Sequence, residues 1–71
     1  MSLTKQLNDL IWYIDSEIEK IDKDPRFHYK TAVYQVNAPL AFIQQDMESR
    51  MSVLKKVREL INKAIEEAKD D

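Results

Sequence analysis

The sequence predicts an all-α protein: a helical hairpin or three-helix protomer with a long C-terminal helix, assembled with further copies into a helical bundle. Three observations carry this reading. The 71 residues include no glycine and only two prolines, Pro25 and Pro39, so helix breakers are scarce. Apolar residues recur every three or four positions along most of the chain, the period of an amphipathic helix. The apolar arc of the last helix is wider than one packed neighbour needs.

The first element carries Leu3, Leu7, Leu10, Ile14, Ile18 and Ile21 on one stripe, widened by Ile11. Ser2 or Thr4 can cap its start. Asp22-Lys23-Asp24-Pro25 ends it, because the residue before a proline is pushed out of the helical region. This predicts a helix over about residues 3–22.

Asp24-Pro25 is also a start signal, with Asp24 as cap and Pro25 in the first helical position. Apolar residues then recur at Val33, Val36, Leu40, Ile43, Met47, Met51, Leu54, Ile61 and Ile65. The stripe keeps phase through Pro39, so two readings fit: one long helix kinked there, or a break at Asn37-Ala38-Pro39. Asn37 is a good cap and proline is tolerated in a first turn. The break is favoured, with a short second helix over about 26–36 and a long third over about 38–68. Glu66, Glu67, Asp70 and Asp71 oppose the helix macrodipole and predict fraying at the end.

On a wheel of about 100° per residue, Leu40, Ile43, Met47, Met51, Leu54, Ile61 and Ile65 form one stripe of the third helix. Phe42, Val53 and Leu60 form a second, about 100° away, and Val57 and Ala64 fill the gap. The first helix can cover one stripe. Nothing else in the chain is long enough to cover the other, so Phe42, Val53, Val57 and Leu60 are the expected oligomer interface.

Chain length agrees. Residues 1–71 make one domain, and a domain this small is marginal without a staple. Cysteine is absent, and the single histidine, His28, leaves no zinc cluster. Pairing with a second copy is the staple that remains, and a homodimer is the expected partner. Hydrophobic residues make up 44% and charged residues 34%, which suits a folded chain rather than a disordered one. No apolar run reaches membrane-spanning length, and no signal-peptide pattern opens the chain. A cytoplasmic location is therefore expected.

Function is less legible. The leading expectation is a non-catalytic interaction or assembly module, without cofactor or metal. Its partner-binding candidates are Trp12, which points away from the first helix's apolar stripe, and Tyr34 in the aromatic second segment; aromatic anchors are enriched in interfaces. The alternative is a small nucleic-acid-associated regulator using Arg50, Lys55, Lys56 and Arg58. A net charge of −2 argues against it, because acidic residues cancel the field. The least favoured class is an enzyme with Asp24, His28 and Tyr29 in a cleft between protomers. A lone Asp24/His28 pair is not a site, and an ordinary turn histidine is the simpler reading. Gln44, Gln45, Asp46 and Glu48 read as a solvated face. The absence of glycine removes phosphate-cradling loops.

Overall fold

The structure, a computed structural model, describes residues 2–30 and 34–70, with the side chains of residues 34, 35, 69 and 70 left aside. Every regular element among the described residues is helical: α1 (Leu3–Asp22), α2 (Pro25–His28) and α3 (Tyr34–Asp70).

Local chemistry sets the boundaries. Ser2 is extended, and its Oγ accepts from the Lys5 backbone N–H at 3.1 Å, satisfying a donor the first turn leaves open. At the other end the Lys23 N–H donates to the Glu19 carbonyl at 2.9 Å and the Asp24 N–H to that of Ile21 at 3.1 Å. Asp24 then caps α2, accepting from the Arg26 N–H at 2.9 Å, with Pro25 opening the helix.

The second helix is a correction. It is a single four-residue turn rather than a helix over 26–36. Tyr29 is already extended (φ −66°, ψ 154°). The Gln44 side-chain amide takes the carbonyls of Arg26, Tyr29 and Lys30 at 3.2, 3.2 and 3.4 Å. A continuing helix would need those carbonyls for its own ladder. Residues 31–33, Val33 among them, lie outside the described residues.

Asn37 breaks α3 near its start, with φ −149° and ψ 76°. Its Oδ1 accepts from the Leu40 N–H at 3.2 Å, which makes it the cap of the long arm that follows. Pro39 falls in that arm's first turn, where no helical donor is lost. The expected break at Asn37-Ala38-Pro39 is therefore present, and the long arm runs to Asp70.

The result is a single-layer hairpin, 54 × 16 × 14 Å. Its radius of gyration is 16.2 Å, against about 11 Å for a globule of this length. The 37-residue α3 sets the long axis, since about 1.5 Å per residue gives the observed length. α1 packs along the C-terminal part of α3, and the 24–30 segment rests on its N-terminal part. The core is thin: Ile14, Ala41, Met47, Met51 and Ile65 are the buried hydrophobic residues, and none of the larger described side chains is fully buried. Leu7, Ile11, Ile18, Ile21, Leu40, Ile43, Leu54 and Ile61 are half-buried around them.

Candidate functional site

With α1 seated on the main stripe, α3 has two flanks, one on either side of that contact. The first is polar. Lys55, Arg58, Glu59, Asn62, Lys63 and Glu66 line a shallow hollow along it. Arg58 reaches across to α1, its Nε donating to Asp15 Oδ1 at 2.6 Å and a terminal nitrogen to Oδ2 at 3.4 Å. That two-point contact raises the guanidinium pKa, through the hydrogen bond first and the charge attraction second.

The second flank is apolar, and it faces solvent. Phe42, Val53, Val57 and Leu60 are 61%, 61%, 38% and 51% exposed. α1 extends the same surface. Tyr13, Glu17, Lys20 and Ile21 form one wall of an open groove of about 910 Å³, and Phe42, Ile43, Met47, Arg50, Val53 and Leu54 contribute to the other. Leu10, one helical turn from Tyr13, and Leu3, two turns beyond Leu10, continue that wall. Both are exposed, a departure from their expected place on the buried stripe. The α1 contact is centred nearer Ile11, Ile14 and Ile18, so Leu3 and Leu10 fall at its edge. Tyr13 was not among the sequence candidates; its position three residues after Leu10 on the same side of the helix is the signal that could have marked it.

The charged residues of this face come in both signs. Asp46 and Arg50 pair at 3.0 Å, four residues apart, and Glu17 and Lys20 pair at 3.0 Å. All four sit beside the groove.

The other sequence candidates are dispersed. Trp12 is 73% exposed on the side of α1 away from α3, where its wheel neighbours Lys5 and Glu19 pair with Asp9 and Lys23. Tyr34 opens α3, and its side chain lies outside what is described. The four basic residues are split between two surfaces: Arg50 and Lys56 border the apolar flank on either side of Val53 and Leu60, and Lys55 and Arg58 lie on the polar one. Lys56 stands 3.8 Å from Glu59.

Asp24, His28 and Tyr29 are not gathered either. Asp24 binds Arg26 at 2.7 and 3.0 Å. That side-chain hydrogen bond, then the backbone one from the same residue, holds its carboxyl down to about 2. The His28 ring turns instead to the Asp22 backbone carbonyl, covering the end of α1, and packs edge-on against Phe27 at 5.4 Å. No group of three or more metal-ligating side chains occurs among the described residues, and none of their helices is long and apolar enough to cross a membrane.

Gln44 is the residue that the sequence reading misplaced. It was expected on a solvated face but is 9% exposed, stitching the 26–30 segment to α3. Its wheel position beside Leu40 and Met51 is the signal for burial.

No protein-family model matches the chain, and neither a curated protein nor a solved structure matches it significantly.

Proposed function

We propose that this protein is a non-catalytic assembly module whose apolar flank is covered by a second copy of the same chain, giving a helical bundle. One observation carries the reading: exposed apolar side chains from two helices, Leu10 and Tyr13 with Phe42, Val53, Val57 and Leu60, share one face of a hairpin that has a thin core. The hairpin is 54 Å long and 16 Å across, long enough to seat a second long helix beside the first. Its charges, Glu17 and Asp46 with Lys20 and Arg50, balance. Such a face suits another copy of itself better than a partner of one sign.

The test is Leu60→Glu. In a pair, the new carboxylate enters an apolar contact at a cost of several kcal/mol, of the order of the whole stability of a small domain. Folding and pairing are coupled in a small obligate dimer, so the variant should lose helicity together with dimer mass. Sedimentation equilibrium and circular dichroism at matched concentrations read both. Wild-type protein that remains a folded monomer at micromolar concentration would overturn the proposal.

A further inference from the structure

We infer that the second copy lies antiparallel to the first, the two long helices meeting across a two-fold axis near the middle of α3. The inference rests on the self-association reading above and adds the orientation of the partner. It comes from the order of residues along and beside the apolar flank. In steps of four and three, α3 presents Phe42, Asp46, Ser49, Val53, Lys56 and Leu60, all exposed. Reversed about Met51, the series is complementary to itself in its two outer pairs, apolar against apolar and acid against base. Phe42 and Leu60 lie nine residues to either side, Asp46 and Lys56 five, and Ser49 and Val53 two.

An isologous interface must be complementary to itself. Run antiparallel, this series sets Phe42 against Leu60 of the second copy, Asp46 against Lys56, and small Ser49 against Val53. Run parallel, Asp46 faces Asp46 and Lys56 faces Lys56, and like charges in contact oppose pairing. The pairs Asp46–Arg50 at 3.0 Å and Lys56–Glu59 at 3.8 Å are exposed. Each leaves carboxylate or ammonium capacity for a further contact across the axis.

The chain has no cysteine, so one introduced thiol reports on orientation directly. Glu66 is exposed on the polar flank, and a spin label on Glu66→Cys leaves the contact intact. Fifteen residues from Met51 place two such labels about 45 Å apart along the axis of an antiparallel pair. In a parallel pair they sit side by side, within about 20 Å. Pulsed electron–electron double resonance should give a distance of about 45 Å or more. A short distance in a sample that sediments as a dimer overturns the orientation and leaves self-association standing. A monomer at micromolar concentration ends both.

A charge exchange gives an independent reading. The two-fold axis counts each contact twice, so Asp46→Lys should weaken the dimer by about tenfold. Adding Lys56→Asp to the same chain should restore most of that loss. Failure of the second change to rescue the first would overturn the antiparallel pairing even if the label distance were long.

Discussion

The two flanks of α3 have the same helix beneath them and the same neighbour between them, yet they end differently. On one flank Arg58 spans to Asp15 and the remaining side chains are polar. On the other, four large apolar residues and a tyrosine reach solvent. A lone hairpin needs only one apolar stripe per helix. The polar flank meets that requirement, and the apolar flank exceeds it. The lesson is that an excess of apolar arc, more than any single residue, marks where a small helical protein expects another surface.

The largest expected effect comes from placing the same charge on each flank in turn. Val57→Glu and Lys55→Glu are two residues apart and create the same side chain. In a paired bundle the first buries a carboxylate in an apolar contact and should cost several kcal/mol, with loss of dimer mass. The second stays in solvent and should stay within about 0.5 kcal/mol. Thermal unfolding followed by circular dichroism, with sedimentation at the same concentrations, measures both. Equal, small effects would mean that the two flanks are energetically alike and that the apolar one stays in water.

Gln44→Ala comes next. The side-chain amide has two hydrogens and three carbonyls around it, so truncation leaves partly buried acceptors without that donor. The expected cost is about 1–3 kcal/mol. The loss should appear as faster hydrogen exchange in residues 24–30, with α1 protection retained. If α1 and the 24–30 segment open together, Gln44 holds the whole hairpin rather than its lower end.

Much of this architecture was legible, and the part that was not has a common cause. The bounds of α1, the Asn37 cap, the tolerance of Pro39 and a second stripe that α1 does not cover each depend on residues within a turn or two of one another. Capping chemistry and a 3.6-residue period are local rules, and local rules can be read from a string. Gln44 and Arg58 are different. Their partners lie 14 to 18 and 43 residues away, so their roles exist only once the helices have met. The shortness of α2 follows from the same long-range contact: Gln44 takes carbonyls that the sequence assigned to a helical ladder. Tyr13 fell between the two cases, since its place beside Leu10 was visible but gained meaning only when α1's buried arc shifted toward Ile11.

Arg58→Ala tests the polar flank and should matter less than Gln44→Ala. Both members of the Asp15–Arg58 pair are nearly half exposed, so solvent and salt screen their attraction. A small drop in midpoint temperature is expected at low salt. It should disappear near 1 M salt, where the screening length falls to about 3 Å. Dimer mass should not change, because the pair ties α1 to α3 within one chain. A variant that dissociates would place this flank in the interface and invert the assignment of the two sides.

The smallest effect is a pH dependence confined to the hairpin's turn. Asp24 is held down to about 2 by the hydrogen bonds from Arg26, whereas an unperturbed aspartate titrates near 3.9. A carboxylate with a lowered folded-state value contributes stability that is complete above the unfolded value. That contribution declines as pH falls from about 4 and is gone below about 2. Protonation would weaken both the Arg26 pair and the cap of α2, while the two flanks of α3 keep their character. Carboxyl carbon shifts followed by NMR should give Asp24 a midpoint close to 2, and Arg26→Ala should move it up toward the ordinary range. The hairpin's far end should be indifferent to that substitution, because Asp24 acts on α2 and the end of α1 alone. A wild-type midpoint near 3.9 would mean that Arg26 is not held against the cap in solution, and the turn would then rest on Gln44 and the His28–Asp22 contact.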